Sequence, residues 1–430
     1  MTPLSSFSRI DGLRYGLLGL PLAFVALPLY VLLPNHYARA FGVPLAALGG
    51  VLLAARLVDA FIDPLLGRLS DRLHARSAAS VLGFGALSAL VLLVGFALLF
   101  FPGLLVDTTQ HASLLATAAV LLAVTYAGFS ALGIAHQSWG AMLGGDALQR
   151  SRIVGWREGF GLVGVVLASV VPTLAGLPAM VGLFAIALLV GWLAWTRAPR
   201  PARAPAHRQA ALMLPLHRPA FRRLLAVFVL NGIASAIPAT LVLFFVQDRL
   251  QAPRAMESAF LGSYFVFAAA SIPLWLRAVP RFGLARTWLG GMALSIAVFA
   301  GASLMGAGDA AGFLVVCALS GIALGSDLVL PSAILAGVIA EADDQSHAGA
   351  YFGWWNFATK LNLALAAGLA LPLLGIAGYA PGVRDAPALQ ALTLAYCLLP
   401  CLLKLLAAGA LWALVIRPAA PIAFAKVSSS

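Results

Sequence analysis

Charge is what this sequence has least of: Asp, Glu, Lys and Arg supply 10% of its 430 residues, against about a quarter in a typical soluble domain. An ordinary water-soluble globule is thereby excluded. Cysteine is rarer still. Cys317, Cys397 and Cys401 all lie within apolar segments, so the chain offers neither a disulfide framework nor a cysteine metal site. The 7 histidines are scattered through different loops and spans, with no pair at ligand spacing on one helix. That argues against a resident metal, and against an intramembrane enzyme, which would need a nucleophile or metal cluster at one membrane face. Acids number 15 against 27 Lys and Arg, for a formal net charge of +12. The basic excess sits between hydrophobic runs rather than on one solvated face, so a nucleic-acid partner is not expected. Met1 to Arg14 lacks an apolar core followed by a small-residue cleavage site. No signal peptide is expected, and the first span itself starts insertion.

What fills the chain is apolar: 62% hydrophobic residues and a mean hydropathy of +0.98. A membrane-crossing helix needs about 20 such residues. Apolar runs bounded by charge, Pro or Gly place spans at roughly 15–37, 45–67, 78–101, 113–143, 153–175, 177–196, 223–247, 258–277, 287–306, 311–339, 351–376 and 390–415. The longest polar stretch, RAPRPARAPAHRQAALMLPLHRPAFRR, falls between the sixth and seventh and reads as a linker. The expected organisation is an N-terminal six-helix bundle over 1–196, a basic cytoplasmic linker over 197–222 and a C-terminal six-helix bundle over 223–430. Loops rich in Lys and Arg stay cytoplasmic. With both termini inside, only Arg39, Arg249, Arg254 and Arg384 lie outside, while Arg9, Arg14, Arg68, Arg72, Arg76, Arg150, Arg152, the seven arginines from Arg197 to Arg223, Arg277, Arg281, Arg286, Arg417 and Lys426 lie inside. The expectation is an integral protein of the plasma (inner) membrane with both termini cytoplasmic. LPLAFVALPLYVLLPNHYARAFGVP in the first span also echoes NGIASAIPATLVLFFVQDRLQAP in the seventh, the half-to-half similarity left by parallel repeats.

An ionisable side chain at the bilayer centre costs about 2.5–3.5 kcal/mol even on lenient scales, so each one is a functional hypothesis. The second span carries Arg56, Asp59 and Asp63 in RLVDAFIDPLLG. Asp59 and Asp63, four residues apart, share one helix face a turn from each other. Two such carboxylates do not both ionise cheaply: one takes up a proton or a cation sits between them. Oxygen-only ligation suits Na⁺, Li⁺ or H⁺. The alternative is a plain Arg56–Asp59 pair, with Asp63-Pro64 marking a helix end. GRLSDRLHAR follows, where Gly67 allows a tight exit and Asp71, with Arg72 and Arg76, braces neighbouring helix ends. Around the fourth span lie His136, Gln137, Asp146, Arg150, Arg152, Arg157 and Glu158, and of these Arg157 opens a long apolar run; it is expected to point into a central cavity, the alternative being a side chain that snorkels to the interface. In the second half, Asp327 sits deep in the tenth span in GSDLVLPSA, and YFGWWNFATK brings Trp354, Trp355, Asn356 and Lys360 into the eleventh. Lys360 requires an acid, and Asp327, Asp59 and Asp63 are those at comparable depth, a fixed bridge to Asp327 being the bland choice. By residue type Trp354 and Trp355 suit the membrane interface. Lys404 in the last span has no evident partner in the sequence.

With RLVDAFIDPLLGRLSDR, IAHQSWGAMLGGD, RSRIVGWREGFG, GSDLVLPSA and YFGWWNFATKLNLALAAGLALPLLGIAGYAPG in this order, the chain resembles the glycoside-pentoside-hexuronide:cation symporter family, melibiose-permease-like, within the major facilitator superfamily. The stretch GRLSDRLHAR, with Gly67, Asp71 and Arg72, resembles the superfamily's cytoplasmic loop signature. The resemblance implies an all-α polytopic fold of 12 transmembrane helices in two six-helix bundles around a midplane cavity. It further implies that Asp59 and Asp63 hold the coupling cation with Ser130 nearby. Arg56 and Lys360 flank that site, joined in one charge network by Asp327. Arg157 contacts substrate, and Gln137, Asn356 and Trp355 are further candidate substrate residues. Departures concern the substrate: the first span has Pro21, and the fourth Gly133 or Ser130, where sugar-binding acids are expected. The expected activity is Na⁺- or H⁺-coupled symport of a sugar, glycoside or related small organic solute, by a functional monomer with no cofactor beyond the transported cation. The alternative is cation-coupled transport or export of an amphiphile such as a lysolipid.

Overall fold

The computed structural model describes residues 7–201, 212–253, 256–379 and 382–418. The sequence expectations for the first six residues, the centre of the linker, Arg254 and Lys426 fall outside this set. All regular structure among the described residues is helical.

Among the described residues nine helices are long and apolar enough to cross a membrane: α3 (Ala78–Phe100), α4 (His111–Met142), α5 (Ala147–Pro172), α6 (Leu174–Thr196), α7 (Pro219–Arg249), α8 (Glu257–Phe282), α9 (Leu284–Ala302), α10 (Ala310–Glu341) and α12 (Ala386–Ile416). Three more complete the expected twelve. The first, α1, spans 9–40 as short helices joined by a π-helical turn at Pro28–Leu32, because Pro21, Pro28 and Pro34 each remove an amide from the ladder. The second, α2 (Leu45–Arg76), carries the charges, and α11 covers Ala348–Ile376.

Local chemistry sets the helix ends. Ser8 and Asp11 form a capping box at the start of α1, while Ser77 caps α3 and Asp146 caps α5 through the amides of Ser80 and Gln149. Gly176, at φ +80°, breaks the chain between α5 and α6, and Gly283, at φ +76°, turns it between α8 and α9.

The chain divides into two compact units, Met1–Leu214 with Ile339–Phe357, and Pro215–Val338 with Ala358–Ser430. The first is cored by Phe24, Leu92, Phe96, Leu122, Phe184 and Leu188. The second centres on Phe245, Phe260, Phe313 and Tyr396, with Phe245 and Tyr396 stacked at 4.3 Å. In both, large apolar side chains such as Leu53, Phe61, Leu90, Ile186, Leu405 and Trp412 point outward, the surface a bilayer requires of its solute. The central windows of α4 and α10 are 56% buried against 22% for α6 and α8, so α4 and α10 occupy the interior of their units.

Candidate functional site

Along α2 one stripe is buried, through Leu48, Ala55, Asp59, Asp63, Gly67 and Ser70, while Leu53, Leu57, Phe61, Leu65 and Leu69 are exposed. Steps of three and four residues make this a single helix face, and it packs on α4. Both carboxylates therefore point into protein: Asp59 is 3% exposed and Asp63 0%. Ser130 of α4, also buried, donates its hydroxyl to Asp59 Oδ1 at 2.8 Å. One turn before it, Tyr126 lies beside Arg56 and Asp59. The expected trio of Asp59, Asp63 and Ser130 is thus assembled across α2 and α4, with Arg56 on the exposed side of the same turn.

Beyond the carboxylates two readings are corrected. Pro64 does not end the helix, and Gly67 does not provide an exit, because α2 continues unbroken to Arg76. The glycine instead lets two backbones meet. A Cβ on Gly67 would lie 2.8 Å from the carbonyl carbon of Gly349, and one on Gly353 would lie 2.7 Å from the carbonyl oxygen of Asp63. The opening turns of α11 thus rest directly on α2. There the Asp71 carboxylate accepts the amides of Gly349 at 2.6 Å and Ala350 at 2.9 Å, two first-turn donors that the helix itself leaves open. Asp71 does brace a neighbouring helix end, whereas Arg72 and Arg76 are exposed. Asp71→Ala is expected to remove about 1.5–3 kcal/mol of local stability and to speed hydrogen exchange at Gly349 and Ala350 at least tenfold. Unchanged exchange in that peptide would show that the contact does not hold the helix end.

Arg157, expected to face a cavity, is buried at 8% exposure and paired with Glu158, its Nε donating at 2.9 Å. Tyr15 and His136 adjoin it. Their rings stack at 4.3 Å, the Tyr15 hydroxyl donates to the His136 carbonyl, and His136 Nε2 donates to the Tyr15 carbonyl at 2.8 Å. Gln137 follows on α4, two turns from Ser130, and its side-chain oxygen is buried without a donor among the described residues. Trp355 is 4% exposed and so is a core side chain rather than an interfacial one, while Asn356 is half-buried. The indole of Trp354 donates to the Leu212 carbonyl at 3.0 Å.

The second unit corrects the assignment of Asp327. Its ion-pair partner is Lys404 of α12, at 2.9 Å, rather than a fixed bridge to Lys360. Lys404 Nζ also donates to Asn231 of α7 at 2.9 Å, and Asp327 accepts from the Trp288 indole at 2.8 Å and the Ser235 hydroxyl at 3.3 Å. Helices α7, α9, α10 and α12 are thereby joined through one half-buried carboxylate. Lys404 was legible as an out-of-place charge, but its partner sits on another helix 77 residues away. Lys360 is half-buried on α11, in the second unit. Among the described residues no group of His, Cys, Asp or Glu is placed to hold a metal ion.

A family model described as MFS/sugar transport protein matches residues 14–417. Among curated proteins no match is found. Solved structures with a similar fold include a bacterial homologue of the iron transporter ferroportin in an outward-facing state, at TM-score 0.71 and 17% identity, covering 94% of this chain and 100% of that one. A variant of the E. coli fucose:proton symporter matches at TM-score 0.66 and 16% identity over 94% of this chain and 99% of its own. The human organic anion transporter MFSD10 matches at TM-score 0.60 and 18% identity, over 96% and 100%. At these identities the likeness concerns the fold, and the fold is that of the major facilitator superfamily, all-α with twelve membrane helices.

Proposed function

Because this chain belongs to the MFS/sugar transport protein family, and is therefore an integral membrane transporter and not an enzyme, we propose that it couples solute movement to a cation bound at Asp59 and Asp63. One observation carries this reading: two buried carboxylates one helical turn apart, the first receiving a hydroxyl from Ser130. At the ~6 Å separating such positions, two carboxylates repel by about 3 kcal/mol at an effective dielectric of ~20. A bound Na⁺ or H⁺ cancels that repulsion. If the transported solute binds better to the neutralised site, the two gradients are coupled by the same free energy.

The solute is a sugar, a glycoside or a related small organic molecule. A second reading, an amphiphile, is favoured by the α4 face beside the site. Gly133 lies one turn from Ser130, a Cβ there would meet no atom within 4 Å, and α4 itself carries no Asp or Glu to hold paired hydroxyls.

Proteoliposomes of defined orientation, loaded against Na⁺ or choline at several pH values, test the coupling. Accumulation of labelled solute is expected to fall at least tenfold when both the Na⁺ and the proton gradient are dissipated. Equal accumulation without either gradient would refute coupled transport. A panel of sugars, glycosides and lysolipids in the same vesicles separates the two solute classes.

A further inference from the structure

The first unit holds a cavity of about 310 Å³ lined by His74, Ser77, Ala78, Ala79, Trp139, Met142, Arg200 and Pro201. Its walls are the end of α2, the start of α3, the end of α4 and the segment after α6. It belongs to no part of the Asp59–Asp63 site. The Trp139 indole donates to the Pro199 carbonyl at 2.8 Å, which fixes the segment carrying Arg200 against α4.

Two donor sets converge there. An α-helix leaves its first amides without intrahelical acceptors. In α3 the Ser77 side chain takes the amide of Ser80 and the Ser77 carbonyl that of Val81. The remaining first-turn residues, Ala78 and Ala79, are those that line the cavity. The 23-residue helix behind them adds the positive end of its dipole. Arg200 is exposed and supplies a guanidinium. It is the only permanently charged side chain among the lining residues.

His74 is the independent indication of a ligand. Its Nδ1 lies 2.9 Å from the Ser70 carbonyl, an acceptor, so Nδ1 carries the ring proton. Its Nε2 is buried with no partner among the described residues. Burial lowers the His74 pKa below the ordinary histidine value, so the ring is neutral at pH 7 and Nε2 is a lone-pair acceptor. A site with amides and a guanidinium for an oxyanion, and one ring nitrogen that accepts, calls for an anion bearing its own hydroxyl.

We propose that this cavity binds a protonated phosphoryl group, inorganic phosphate or the monoanionic form of a phosphomonoester, whose anionic oxygens take the Ala78 and Ala79 amides and Arg200 and whose P–OH donates to His74 Nε2. A phosphodiester and sulfate lack that hydroxyl at neutral pH and are poorer occupants. The group's carrier is either a soluble phosphate or a monoester lipid headgroup such as phosphatidic acid.

The test uses purified full-length protein, read by thermal shift at pH 7.5 and constant ionic strength, with inorganic phosphate and sulfate as probes. Phosphate is expected to stabilise the protein at lower concentration than sulfate. Arg200→Gln, an exposed change that leaves the fold intact, weakens the phosphate response about tenfold, the worth of one charge-assisted hydrogen bond. His74→Phe erases the preference for phosphate over sulfate. Nanodiscs containing phosphatidic acid or phosphatidylglycerol identify the carrier. Stabilisation by phosphatidic acid alone assigns the bilayer, and stabilisation by soluble phosphate assigns the aqueous phase. Equal responses to phosphate and sulfate, or a phosphate response unchanged in Arg200→Gln, would overturn the proposal.

Discussion

Asp59→Asn and Asp63→Asn each abolish gradient-driven solute accumulation, while expression and membrane insertion stay at wild-type levels. Asparagine keeps the shape of the carboxyl and at position 59 still accepts the Ser130 hydroxyl, which in the parent lies 2.8 Å from Oδ1. It removes the charge that attracts a cation. The coupling free energy available to such a device is about 1–3 kcal/mol, or 5- to 150-fold in affinity. Losing it leaves facilitated equilibration without accumulation. Ser130→Ala is milder, since it deletes one hydrogen bond to a charged acceptor, worth about 1.5–3 kcal/mol. It raises the cation concentration for half-maximal uptake roughly tenfold and preserves maximal accumulation. The measurement is uptake into vesicles under a fixed inward Na⁺ or proton gradient. Accumulation persisting in both asparagine variants would remove these acids from the coupling site.

The second-span signature was readable because α-helical spacing alone places residues 59 and 63 on one face, whatever the rest of the fold does. Spans were readable for the same reason: length and hydropathy are local properties. Ser130 entered through family resemblance, since nothing in its own neighbourhood marks a hydroxyl beside a carboxylate 71 residues earlier. The failures are all long-range. Gly67 looks like a turn in isolation, and only the approach of Gly349, 282 positions on, shows that its missing side chain serves helix contact. His136 and Tyr15 stack across 121 residues, a pairing with no local trace. Trp355 was assigned to the interface by residue type, whereas packing puts it inside. Sequence pattern tells which residue is out of place in a membrane. It does not tell which of several equally distant charges will neutralise it.

Asp327 and Lys404 decide that last question by measurement. Lys404→Met leaves a half-buried carboxylate beside Trp288 and Ser235 with no counter-charge. Removing one partner of a buried pair costs about 3–5 kcal/mol, so this is the most destabilising single change expected in the second unit. Asp327→Asn leaves the ammonium on Asn231, 2.9 Å away, and strands a positive charge in the same interior, where the Lys404 side chain is 5% exposed. The double variant strands neither. It is expected to unfold in detergent at least 2 kcal/mol later than the sum of the single losses, the signature of direct coupling in a double-mutant cycle. Additivity within about 0.5 kcal/mol would mean that the two groups do not interact. Cation dependence separates this network from the coupling site. All of its members lie in the second unit, on α7, α9, α10 and α12, so variants that still reach the membrane keep a half-saturating cation concentration within about twofold of the parent, whereas Asp63→Asn changes cation response with little effect on unfolding. A buried ion pair that shifted cation affinity as strongly as Asp63 would belong to the transport cycle rather than to the framework of its bundle.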